Sequence, residues 1–122
     1  MIGPNNTPYE NGLFWLNFKF PDNYPKCGPF INFINKVYRL DVDEHNNDIC
    51  LSRLLQWRNG GEVNGFSTYT VKNAVFDIFC TFIYHNSGCG GHAPERYVLY
   101  RNNRKKFDEV AREYTRLYAS II

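Results

Sequence analysis

The alternation of apolar and polar residues from Leu13 to Phe20 constrains the fold of this chain more than any other stretch. Phe14, Leu16, Phe18 and Phe20 fall on one face of an extended segment, and Asn17 and Lys19 on the other. A period of two is what a strand with one buried face requires, and a helix, whose faces repeat every ~3.6 residues, cannot use it. Pro21 ends the strand because it has no N–H to give to a ladder. After the Tyr24-Pro25 turn and Pro29, the segment Phe30 to Ile34 alternates again, with Ile31 and Phe33 opposed to Asn32. The spacing predicts a second strand and an antiparallel meander.

The second half of the chain changes period. Thr70 is the predicted N-cap of a helix carrying Ala74, Val75, Ile78, Phe79 and Phe82 on one stripe, expected to be central and mostly buried. Gly88 to Gly91 interrupt the chain, Pro94 can open a short helix, and Asn103 can cap a last one with Phe107, Val110, Ala111, Tyr114, Leu117 and Tyr118 at helical spacing. Strands first and helices last specify an α+β domain, an antiparallel strand meander with helices packed on one face. Residues 36–56 hold no sustained period, and a long irregular stretch in a compact domain is where chemistry is expected.

With 122 residues, 43% of them hydrophobic and 17% aromatic, the chain has the material for one core, and residues 1–122 are expected to form a single domain. A net charge of +2, from 14 basic and 12 acidic side chains, gives no field of the kind that nucleic acid or a membrane surface selects. No apolar run approaches the ~20 residues of a membrane span. The cysteines Cys27, Cys50, Cys80 and Cys89 could form two disulfides, but the sequence shows no leader pattern, so a reducing cytoplasmic or nuclear location is expected. His85, Cys89 and His92 place three possible metal ligands close together. Structural zinc takes four ligands with recognisable pairing, so a glycine-rich loop is expected there, with no metal and no other cofactor.

Several strings occur in an order that resembles the ubiquitin-conjugating enzyme family. They are Gly3-Pro4-Asn5-Asn6-Thr7-Pro8-Tyr9, Phe20-Pro21, Tyr24-Pro25, Ile49-Cys50-Leu51, and the closing helix from Asn103-Arg104-Lys105-Lys106-Phe107 to Tyr118-Ala119. The resemblance implies that Cys50 is the catalytic cysteine, accepting the C-terminus of ubiquitin or a ubiquitin-like modifier as a thioester. It also implies an activating enzyme and a ligase as partners, with Leu51, Ser87 and His92 beside the bound substrate. The departures qualify this. Members usually begin with a further helix and strand, so the fold is expected to be shortened at its N-terminus. The family's Tyr-His-Pro-Asn becomes Tyr38-Arg39-Leu40-Asp41, its apolar ligase-docking residue becomes Lys26, and its Trp-Ser-Pro-Ala docking loop becomes Phe66-Ser67-Thr68-Tyr69.

A thioester carrier needs an accessible thiol that ionises, whereas many cysteines are small buried apolar groups. The family's amide ahead of the cysteine supports the loop and donates to the oxyanion formed when lysine attacks. Asp41 in its place accepts hydrogen bonds only and would repel that oxyanion. It can still hold the loop, and Arg39 is expected to be solvated. On this reading Asp41→Asn should restore a donor and speed discharge to lysine. The alternative is an impaired member of the family that acts as a ubiquitin- or partner-binding module.

Overall fold

The structure is a computed structural model of the chain and describes residues 1–60, 69–85 and 94–120. Two strands, β1 (Leu16–Lys19) and β2 (Phe30–Phe33), pair antiparallel with Leu16 opposite Phe33 and Phe18 opposite Ile31. Four helices follow: α1 (Ser52–Arg58), α2 (Val71–Cys80), α3 (Pro94–Asn102) and α4 (Arg104–Tyr118). The α+β order is as predicted, and Ile31 and Phe33 are buried as their alternation requires.

The strands are shorter than the period suggests. Leu13 leaves the ladder to bridge Ile2, and Gly12 bridges Ser120, so the N-terminal loop and the end of α4 are stitched to the same segment. The far edge of β2 is taken by residues 47–49: Phe33 N–H donates to Asn47 O at 3.0 Å, and Ile49 N–H to Ile31 O at 3.2 Å. Among the described residues the meander is therefore a two-stranded sheet extended by isolated bridges. Phe20, expected on the buried face, is half exposed and packs edge-on against Tyr24.

Thr70 caps α2 with a capping box, its side chain accepting from Asn73 N–H while the Asn73 side chain accepts from Thr70 N–H. Asn103 caps α4 by accepting from Lys106 N–H. Burial of α2 falls short of the expectation. Only Ala74 and Ile78 are enclosed, and Phe76 is 64% exposed. On α4 the buried line is Phe107, Ala111 and Thr115, while Leu117 and Tyr118 face outward. Thr115 is tolerated inside because its hydroxyl donates to Ala111 O at 2.9 Å.

Phe82 is fully buried just past α2, its ring 5.0 Å from Tyr9, 4.9 Å from Phe14 and 6.0 Å from Phe33, centroid to centroid. Tyr9 is in turn packed against Gly3. A Cβ at Gly3 would lie 1.8 Å from Tyr9 O, which is backbone and cannot swing aside. Gly3→Ala should therefore destabilise the fold by about 1–3 kcal/mol or more, measured as a shift in the urea unfolding midpoint.

Candidate active site

The segment leading to Cys50 is irregular, yet Val37 and Arg39 through Val42 are all buried. Buried irregular backbone must find partners for its carbonyls outside any ladder. Here they come from distant side chains. Arg96 Nη1, on α3, donates to Val37 O at 3.0 Å and Arg39 O at 3.2 Å, and Tyr9 Oη donates to Tyr38 O at 2.6 Å. The guanidinium of Arg96 also lies 4.7 Å over the Tyr38 ring. Asp41 O is then used by the site itself, accepting Cys50 N–H at 2.8 Å.

Arg39 corrects the expectation of a solvated side chain, since it is 1% exposed. Its Nε donates to Asp41 Oδ1 at 2.8 Å and its Nη2 to Oδ2 at 2.5 Å, a two-pronged pair sealed from solvent. Nη1 donates to Ile78 O at 3.2 Å and Nη2 to Thr81 Oγ1, which joins the loop to the end of α2. The guanidinium carbon sits 4.5 Å over the Phe82 ring. Asp41, expected to lie at the reacting carbonyl, has both carboxylate oxygens engaged by Arg39, and what it offers Cys50 is its backbone carbonyl.

Cys50 is partly exposed, and in this structure its sulfur is disulfide-bonded. Cys27 and Cys80 are both free. The next residues, Leu51, Ser52 and Arg53, face Asp77, Cys80 and Thr81 across a pocket of about 270 Å³. Asp77 is held there by Arg53, Nη1 to Oδ1 at 3.2 Å, and by the hydroxyl of Tyr69. Burial and the neighbouring Asp77 push the Tyr69 phenol well above its usual range, so it stays a donor at any physiological pH.

The remaining predicted residues fall in different places. Leu51 is core as well as pocket wall, at 5% exposure. Tyr69 corrects its assignment to a docking surface: it is 8% exposed and packs on Trp57 at 5.3 Å. Lys26 is exposed on the surface. Phe66, Ser87 and His92 lie outside the described residues, as does Cys89. Among the described residues no cluster of three metal-ligand side chains occurs.

His85 packs at a tilt against Tyr100 at 5.0 Å and edge-on against Phe107 at 5.5 Å, centroid to centroid, and burial, reinforced by Arg104, holds its pKa below the ordinary value of 6.5. Folding therefore favours the neutral ring. Its contribution is full above pH 6.5 and is lost as pH falls through the lower folded value. Urea midpoints should drop from pH 7.5 to 5.5, and the drop should be smaller in His85→Phe.

Sequence reasoning missed Arg96, Asp77 and the pairing of Arg39 with Asp41. The available signal for the first two was a charge set among core positions, Asp77 directly before buried Ile78 and Arg96 two residues into a helix with little amphipathic pattern.

Comparison with known proteins fits this arrangement. A family model described as ubiquitin-conjugating enzyme matches residues 1–115. Among solved structures, the E2 domain of a Toxoplasma gondii ubiquitin conjugating enzyme superposes with a TM-score of 0.83 at 24% identity, over 98% of this chain and 77% of that one. A Plasmodium yoelii chain described as a ubiquitin conjugating enzyme superposes with a TM-score of 0.81 at 27% identity, over 98% of this chain and 73% of that one. With the family's match running from the Gly-Pro loop through the cysteine segment into the last helix, this chain belongs to the ubiquitin-conjugating enzyme family.

Proposed function

We propose that Cys50, once reduced, carries ubiquitin or a ubiquitin-like modifier as a thioester and passes it to a lysine or a ligase cysteine. The observation that carries this reading is the placement of Cys50: a partly exposed residue at the end of a rigidly held loop, its amide fixed to Asp41 O and a pocket opening directly after it. A group that must meet another protein's C-terminus needs that combination of access and fixed backbone.

The disulfide must first take up two electrons and two protons to release the Cys50 thiol, both from a thiol reductant, or the electrons from a phosphine and the protons from the water whose oxygen ends on the phosphine oxide. The thiolate then attacks the modifier's thioester carbonyl on the activating enzyme. One C–S bond forms, the other breaks, and the released enzyme thiolate takes up a proton. Lys26 and Phe66 would meet a ligase, and Ser87 and His92 the bound modifier.

The test is a charging assay on phosphine-reduced protein with activating enzyme, ATP and modifier. A thiol-sensitive adduct is expected, absent from Cys50→Ala. Failure of any modifier to load would replace this reading by that of a binding module. Loading and discharge should also separate. Because both Asp41 carboxylate oxygens are engaged by Arg39, residue 41 supplies no oxyanion donor, and discharge to free lysine should be slower than in an amide-bearing relative by on the order of a hundredfold. Equal discharge rates for the two proteins would remove that argument.

A further inference from the structure

The chain closes on itself between Asp41 and Cys50. Cys50 N–H donates to Asp41 O at 2.8 Å, Val42 bridges Ile49, and Asp43 N–H donates to Asp48 O at 2.9 Å. At the tip, Asp43 Oδ1 accepts His45 N–H at 2.8 Å, so the loop is held from base to tip. Its two limbs are tied to the rest of the fold in different ways. The returning limb, 47–49, lies along β2 through the Phe33 and Ile49 bonds. The outgoing limb, 37–41, has no strand beyond it among the described residues. Its path through Val37, Tyr38 and Arg39 is set by the side chains that reach those three carbonyls, and one nitrogen, Arg96 Nη1, takes two of them.

Arg96 is 6% exposed, with its guanidinium carbon 4.7 Å over the Tyr38 ring and 6.0 Å over that of Tyr114. So enclosed a group is no contact surface for a modifier, an activating enzyme or a ligase. What it reaches is the cysteine loop. It holds Arg39 by the carbonyl, the Arg39 side chain holds Asp41, and the Asp41 carbonyl holds Cys50 N–H. We infer that Arg96 is a positioning residue for transfer from Cys50: through the fixed path of residues 37–41, α3 sets how well the thioester carbonyl is aligned for the incoming amine. The inference rests on the carrier reading of Cys50. A guanidinium suits the task because its N–H donors are fixed in one plane, and because a buried carbonyl left without a donor would shift its backbone toward another partner. A displacement of about 1 Å at a reacting group can cost on the order of a hundredfold in rate.

The test uses the phosphine-reduced full chain, charged with modifier and then freed of activating enzyme, so that discharge alone is measured. Arg96→Met keeps the side chain's apolar stem and removes its donors. Discharge to free lysine should slow by roughly tenfold to a hundredfold at a temperature where the variant is folded. Arg96→Lys, which can still donate, should recover part of the rate. Thr115→Val removes a buried hydrogen bond on α4, controls for lost stability, and should discharge at the parent's rate. Amide exchange on the uncharged, isotope-labelled chain locates the change. In Arg96→Met, Cys50 N–H should exchange about tenfold faster or more, with Ile34 N–H, which donates to Trp15 O, unchanged. A general loss of stability would speed both. Equal discharge by the parent and Arg96→Met, equal slowing in Thr115→Val, or joint acceleration of both amides would overturn the inference and leave the carrier reading intact. A parent that accepts no modifier would overturn both. If Arg96→Met does not fold, Arg96→Lys decides: discharge severalfold slower than the parent's supports the inference, and discharge at the parent's rate overturns it.

Discussion

Asp41→Ala should destabilise the protein by about 3–5 kcal/mol, the cost of leaving the Arg39 guanidinium buried without its counter-charge. In a domain whose total stability is on the order of 5–15 kcal/mol, that lowers Tm by roughly 10–20 °C. The reason is the seal around the pair. At 1% exposure neither group can recover water when the other is removed. Asp41→Asn should fall in the same direction with a smaller loss, since its carbonyl oxygen can still accept from Arg39. The sequence alone suggested that this substitution would speed discharge to lysine; the ion pair makes instability the expected result. A double replacement, Arg39→Met with Asp41→Leu, should recover much of the stability, because a buried pair exchanged for apolar groups of similar volume often costs little. Differential scanning calorimetry on the three variants checks this. If Asp41→Ala melts within 3 °C of the parent, the buried pair does not exist in solution.

Phe82→Ala should cost about 3–5 kcal/mol, with Phe82→Leu losing less than half as much. The ring is fully enclosed by Tyr9, Phe14 and Phe33 and underlies the Arg39 guanidinium, so truncation opens a cavity and removes a cation–π contact at once. The second effect makes a further measurement possible. Losses in Phe82→Leu and Asp41→Ala should not add, because both act on Arg39, and their combination should depart from the sum by about 0.5–3 kcal/mol. Strict additivity would mean that the aromatic cluster and the ion pair are independent.

What could be learned from the sequence follows the kinds of force involved. The strand pair, the Thr70 and Asn103 caps and the order of elements were legible because period and capping chemistry are local properties. Helix α1 was not. Its N-cap is Leu51 with no side-chain cap, its first turn holds no acid, and its seven residues bury only Leu54 and Trp57, too few to show a period. The oxidation state of Cys50 was not legible, because pairing of a thiol is decided by tertiary proximity and not by the local string around it. The same limit explains Arg39 and Arg96. A buried arginine needs acceptors that converge on it from other parts of the chain, and nothing near Arg39 or Arg96 in sequence announces Ile78, Thr81 or Val37.

The carbonyls of residues 37 to 39 are anchored by Tyr9 from upstream and by Arg96 from far downstream, and this has a consequence for synthesis on the ribosome. Chain growth at roughly 5–20 residues per second leaves an interval of several seconds in which Cys50 has been made and Arg96 has not. During that interval Val37 O and Arg39 O lack their donor, so the cysteine loop cannot close over them in its final form. A nascent or prematurely ended chain lacking α3 would carry Cys50 without its fixed backbone. The site is completed last, and only by a polypeptide that has been translated past its third helix.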